Sequence, residues 1–275
     1  MIAEDFAPKR IVCLTEETVE TLYLLGEQDR IVGISGFVVR PPRARKEKPI
    51  VSVFTDASIE KILVLQPDLV IGFSDIQAHI AKELIAQGVT VWINNHRTVE
   101  GILKMIVQLG SLVGKHQEAR VLVDQYQTGI ATIQQAVSSL PYKPTVYFEE
   151  WFDPLISGIA WVSELVELAG GVDIYKEHRN ASLAKDRIIA DRSDVVRRNP
   201  DIIIASWCGK MFKKEKLISR EGWSQIAAVK SDFIFEIKSS VILQPGPAAL
   251  TEGLRQIAAI IQQWHARRGQ QDQHE

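Results

Sequence analysis

The apolar residues of this chain fall into short unbroken runs set between stretches of helical period. Ile11-Val12-Cys13-Leu14, Ile31-Val32-Gly33-Ile34, Leu69-Val70-Ile71-Gly72-Phe73 and Val89-Thr90-Val91-Trp92-Ile93 are too short for helices. They also lack the polar alternation of a half-exposed strand, so they read as strands covered on both faces. Helical segments intervene, one after Thr15, one from Ser58 to Pro67 and one over 77–87. Strands alternating with helices predict a parallel sheet, whose ligands sit beyond the carboxyl ends of the strands.

The pattern then repeats. Gln66-Pro67-Asp68-Leu69-Val70-Ile71-Gly72-Phe73 returns as Asn199-Pro200-Asp201-Ile202-Ile203-Ile204-Ala205-Ser206, an offset of 133 residues (200 − 67). In both copies a proline stops a helix ahead of a buried strand. The second half continues with strands over 145–148 and 233–237, helices over 162–169, 193–198 and 223–227, and a closing helix over 251–264. Between the halves, Ile102, Met105, Ile106, Leu109, Leu112 and Val113 keep helical spacing, and Ala119, Leu122, Val123, Tyr126, Ile130 and Ile133 resume it. Gly110 and Gly114 permit a break. The expected architecture is α/β: a lobe over 1–97, a helical connector over 98–140 and a second lobe over 141–275, each lobe with a parallel central sheet. Related lobes imply a cleft, the usual place for a small ligand.

Composition narrows the function. Charged residues are 24% of the chain and the net charge is −2, which gives no electrostatic reason to expect nucleic acid or anionic lipid as a partner. The basic stretches 40–48 and 210–216 read as solvated loops. No apolar run reaches the roughly 20 residues needed to span a bilayer. The first nine residues are acidic and lack the apolar core of a secretory signal, so the protein is expected in the cytoplasm if this is the full-length product. Cys13 and Cys208 are expected as buried free thiols.

Candidate ligand contacts lie at strand ends. Glu149, Glu150 and Trp151 follow the first strand of the second half, and neighbours on a strand point to opposite faces, so one carboxylate of the pair is expected inward. Phe73 and Trp207 end the two repeated strands. Asn95 and His96 follow the last strand of the first half, and Gln244 opens the stiff turn Gln244-Pro245-Gly246-Pro247. The six histidines show no paired ligand spacing, so no metal site is expected, and the opposed directions of Glu149 and Glu150 leave no catalytic pair expected. Thr15 is placed as a helix cap, and Trp161 as core.

Several segments together resemble a known family. Thr15-Glu16-Glu17-Thr18 with Leu24-Leu25-Gly26, Ser58-Ile59-Glu60-Lys61 with Pro67-Asp68-Leu69-Val70-Ile71, and Gly222-Trp223-Ser224-Gln225-Ile226 resemble the class III substrate-binding proteins of ABC importers. The segments 148–158 and 243–247 are most similar to its cobalamin-binding branch. The resemblance implies a non-enzymatic, monomeric, extracytoplasmic protein of two lobes joined by a rigid helix. It would carry a corrinoid as cargo, with no cofactor, and deliver it to an ABC permease. A corrin ring offers a broad apolar face with amides at its rim, so Phe37, Phe54, Trp151 and Trp207 are the aromatic contacts expected. Glu60 matches one of two acidic docking positions; the other falls near Ser193, with Asp194 its neighbour. Haem or a ferric chelate is the alternative cargo. Haem would need His96 or Tyr147 as axial ligand, and a chelate would need basic residues. An intracellular corrinoid-handling enzyme is the third reading.

Overall fold

The computed structural model describes residues 6–271 and divides into two compact units. One comprises the chain up to His96, Glu100–Gln125 and Gln244–Pro247; the other comprises Arg97–Val99, Tyr126–Leu243 and the chain from Ala248 onward.

In the first unit β1 (Ile11–Cys13), β2 (Ile31–Ser35), β3 (Ile50–Val53), β4 (Asp56–Ala57), β5 (Leu69–Phe73) and β6 (Val91–Asn94) form one sheet in the order β4-β3-β2-β1-β5-β6. All neighbours are parallel except the β3–β4 pair. The helices α1 (Glu16–Leu24), α2 (Ile59–Val64) and α3 (Ala78–Ala86) connect them. Every residue of β1 and β5 is buried, as expected of strands covered on both faces. The strand order reverses direction between β1 and β5, so the loops after these two strands flank the topological switch point. The β3–β4 pair was not legible in the sequence, because Asp56–Ala57 is only two residues long.

Two helices follow, α4 (Val99–Leu112) and α5 (His116–Ser138), and the division between the units falls inside α5. At 23 residues α5 is roughly 35 Å long. The break between them sits at Gly114, whose φ of +76° suits glycine. Gly110 plays another part. It stays helical, and a Cβ built there would fall on Ala119 Cβ and come 2.9 Å from the Lys115 carbonyl oxygen, so its bare Cα lets α4 and α5 meet.

The second unit holds β7 (Thr145–Phe152), β8 (Leu155–Ser157), β9 (Val172–Asp173), β10 (Ile202–Ala205) and β11 (Ile234–Glu236) in the order β11-β10-β7-β8. Here β9 pairs with the start of β7 and β8 runs antiparallel to its end. Helices α6 (Ala160–Leu168), α7 (Ser193–Arg198) and α8 (Leu254–Gln271) cover it. The closing helix is preceded by a π-helical turn at Ala249–Gly253. Trp161 lies in the core, 3% exposed, with its indole N–H donated to Ile242 O. The helix expected over 223–227 is instead a 3₁₀ turn followed by the short helix Ala227–Lys230. Cys13 is buried as expected, but Cys208 is exposed, because it lies just past the strand end.

The repeated segment has the same job in both units. Gln66 and Asn199 take left-handed φ values of 47° and 45° ahead of their prolines. The next residue then clamps the start of the neighbouring strand. Asp68 accepts the backbone N–H groups of Lys9 and Arg10 at 2.7 and 3.0 Å, and Asp201 accepts the Thr145 N–H and hydroxyl at 2.8 and 2.7 Å. Each Pro-Asp thus sets β1 against β5, or β7 against β10.

Gly110→Val is expected to destabilise the protein by about 1–3 kcal/mol, the range for forcing atoms into a filled contact. Chemical denaturation at fixed pH measures this; an unchanged midpoint would show that α4 and α5 part at no cost.

Candidate functional site

In the first unit a single buried side chain gathers the strand ends. Gln77, fully buried, accepts the Phe73 N–H at 2.8 Å through Oε1. Its amide nitrogen donates to Phe54 O at 2.9 Å and Leu14 O at 3.4 Å. The loops after β1, β4's partner β3 and β5 are therefore tied to one glutamine. Beside it Ser74 has φ 67° and ψ 169°, a region nearly restricted to glycine, and its hydroxyl accepts the Ile76 N–H. Strain at a switch-point loop, held by neighbouring hydrogen bonds, is the pattern of a functional position. Nothing in the periodicity singled out Gln77, since a glutamine at a helix start reads as solvated.

The expected contacts of this unit divide by exposure. Phe37 is 54% exposed, Phe54 is half-buried, and Asn95 is exposed. Phe73 is buried, and His96 lies edge-on to it with ring centroids 5.4 Å apart. His96 Nε2 is 3.0 Å from Pro245 O, so as the protonated nitrogen it donates to that carbonyl. Gln244–Pro247 belongs to this unit, with Gln244 half-buried and Gly246 packed so closely on α1 that a Cβ would lie 2.5 Å from Glu17 Cβ.

The first turn of α1 carries two acids. Glu16 is 2% exposed and Glu17 fully buried. Glu16 Oε1 accepts the Val39 N–H at 3.1 Å, and Glu17 Oε1 accepts the Thr15 hydroxyl at 2.6 Å, so Thr15 turns its side chain to Glu17 rather than capping the helix. Oε2 of each acid is buried without a hydrogen-bond partner. Burial pushes Glu16 up to about 8, offset in part by the Val39 N–H and reinforced by Glu20. Burial likewise pushes Glu17 up to about 7, against the Thr15 bond. One turn on, Glu20 accepts from Arg40 Nε at 3.0 Å.

In the second unit the carboxyl ends of β7 and β10 carry two ion pairs and a run of rings. Glu149, with no exposed surface, takes Arg220 through both oxygens at 2.5 and 3.0 Å, the Trp207 indole N–H at 2.8 Å and the Tyr147 hydroxyl at 3.2 Å. Glu150 takes Arg187, 1% exposed, at 2.6 and 2.9 Å. The adjacent carboxylates thus point to different arginines, and it is Glu149 that turns inward. Trp151, Phe152, Trp207 and Phe212 follow one another at centroid distances of 5.1, 4.6 and 5.1 Å. Trp151 is half-buried with its N–H on Asp153 O, whereas Trp207 is only 4% exposed and backs the row from within.

The two expected docking acids differ. Glu60 is exposed in the first turn of α2. Asp194 receives Tyr175 Oη at 3.0 Å, Arg197 at 3.0 Å and Arg198 at 2.8 Å, so its charge is shared within its own helix and the neighbouring tyrosine. A groove of about 630 Å³ lined by Asp232, Phe233, Arg267 and Gln263 lies at the amino end of β11, away from the strand ends where ligands are expected. Among the described residues no group of three or more His, Cys, Asp or Glu is placed to hold a metal ion, and no helix is long and apolar enough to cross a membrane.

Arg220→Met leaves Glu149 as a buried charge without its cation and is expected to cost about 3–5 kcal/mol. The double change with Glu149→Leu should cost less than Arg220→Met alone, as measured by urea denaturation; equal losses would mean that the pair is not coupled.

Known proteins with the same arrangement fix the class. The model of the periplasmic binding protein family matches residues 11–241. An uncharacterised ABC transporter substrate-binding lipoprotein of Bacillus subtilis is 26% identical over 262 residues, 92% of this chain and 80% of that one. The vitamin B12-binding protein of Vibrio cholerae is 24% identical over 260 residues, 91% of this chain and 88% of that one. A periplasmic haem-binding protein from Roseiflexus superposes with a TM-score of 0.77 at 21% identity, over 92% of this chain and 99% of the other. Two α/β units with parallel strands, ring-lined strand ends and this family match make the chain a member of the periplasmic binding protein family, a non-enzymatic substrate-binding protein of the ABC-importer type that carries no cofactor.

Proposed function

We propose that the cargo is cobalamin or a related corrinoid, carried outside the cytoplasmic membrane to a permease. The observation that carries this reading is that the strand-end arginines, Tyr147 and His96 already have partners within the protein. Arg187 and Arg220 are neutralised by Glu150 and Glu149. Tyr147 has no exposed surface, and burial holds its hydroxyl well above the ordinary range, so it does not supply a phenolate to iron. His96 Nε2 is occupied by Pro245 O. What these loops offer a ligand instead is ring surface from Phe37, Phe54 and Trp151, with Asn95 and Gln244 as amide partners. A large, neutral, amide-rimmed ligand matches that set. Glu149 and Trp207 act behind this surface, fixing the ring row in place. Glu60 is the docking acid proposed for the first unit, with Asp194 its weaker counterpart in the second. The protein is proposed to act as a monomer.

A ferric chelate is the second reading, favoured by Lys210 and Lys213, which stand exposed on the loop after β10. Isothermal titration separates the two. Cyanocobalamin is expected to bind one-to-one, with Trp151→Ala and Phe54→Ala each weakening it by about 1–3 kcal/mol, the range for losing a buried ring contact. Haemin should give no axial-ligand absorption change that His96→Ala removes. Haemin binding with such a change, or chelate binding lost in Lys210→Ala and Lys213→Ala, would replace the corrinoid reading.

A further inference from the structure

Glu16 and Glu17 are buried acids that ligand binding, as read above, does not use. Unlike the acids that end up paired at the strand ends and on α1, they lack a cation. Glu149 has Arg220, Glu150 has Arg187 and Glu20 has Arg40. Glu16 and Glu17 accept hydrogen bonds from neutral groups alone, the backbone beside Val39 and the Thr15 hydroxyl among them, and each has one buried oxygen with no hydrogen-bond partner.

Their neighbours are loops. Glu16 holds residues 36–40 through the Val39 N–H, and that loop carries Phe37. Glu17 lies directly beneath Gly246, where only a bare Cα fits. His96 holds the same turn through Pro245 O. We propose that Glu16 and Glu17 are positioning residues that seat the 36–40 and Gln244–Pro247 loops in a proton-dependent way, so that ligand affinity falls as pH rises. This rests on the reading that these loops touch the ligand.

The charges facing the pair set the sign. Glu20 on the same helix adds negative potential, and Arg40, on the loop after β2, is spent on Glu20. Cys13, at the end of β1, is a neutral thiol pushed up to about 12 by burial. His96 faces the turn from the end of β6. Below about pH 7 both acids are protonated, and a neutral carboxyl tolerates burial. As pH rises through about 7 and then about 8, Glu17 and Glu16 become charges without a partner. Water reaches them only if the loops lift. Because the seated form binds more protons than the lifted form, rising pH favours the lifted form.

The test compares the full chain with Glu17→Gln and with Glu16→Gln/Glu17→Gln, which keep shape and hydrogen-bond acceptor but do not titrate. Cyanocobalamin affinity is measured by isothermal titration between pH 6 and pH 9. The parent is expected to lose at least about tenfold, the effect of one linked proton over one pH unit, and the double variant less than about threefold. Parallel slopes in parent and double variant would overturn the proposal. Hydrogen exchange of the Val39 and Gly246 amides, corrected for intrinsic rates, is followed without ligand over the same range. Protection should fall with pH in the parent only. If the parent binds no corrinoid, the ligand reading fails, and the exchange profile still decides between a proton-dependent seat and none.

Discussion

A carboxylate removed from water has to meet a cation or keep its proton, and this constraint organises the strand ends of the protein. The second unit meets it with guanidinium groups, Arg220 on Glu149 and Arg187 on Glu150. The first unit meets it once in that way, at Glu20 and Arg40, and twice by protonation, at Glu16 and Glu17. The consequence for function is a matter of what remains. The strand-end guanidinium groups Arg187 and Arg220 are consumed internally, and the exposed surface that remains at these ends includes rings and amides beside Lys210 and Lys213.

The positions of these groups follow from a simpler device. Asp68 and Asp201 fix where β1 and β7 begin relative to their parallel neighbours, and parallel register then fixes where each strand ends. In the first unit Gln77 collects three of those ends into one hydrogen-bonded knot. In the second, Glu149 does so by binding both the next strand's Trp207 and the distant Arg220. The rings at the strand ends thus rest on buried hydrogen-bonded residues. Loops braced this way lose little freedom when a ligand arrives, which is how a rigid site gains affinity.

Much of the fold was legible in the sequence because it depends on short-range signals. Pro67 and Pro200 marked the strand starts, continuous apolar runs marked the buried strands, and the spacing from Ile102 to Ile133 marked α4 and α5. Gly110 looked like a break because glycine weakens helices, whereas its role is close packing against Ala119, a contact that only tertiary structure reveals. The site was less legible. Phe54, Trp151 and His96 were singled out by position, but the partners that determine their availability lie far away in sequence, such as Arg220 for Glu149 at a separation of 71 residues. Glu16 and Glu17 have the look of ordinary acids in a helix's first turn, and no local pattern announces that a loop more than two hundred residues later will pack on Glu17.

The central claim, that the strand ends favour a neutral, amide-rimmed ligand over an anionic one, is tested most directly by competition. Native mass spectrometry of the protein incubated with equal concentrations of cyanocobalamin, haemin and a ferric carboxylate chelate identifies the bound species by its mass. The account predicts a single adduct of the corrinoid mass. An adduct of haemin or of the chelate in its place would contradict it.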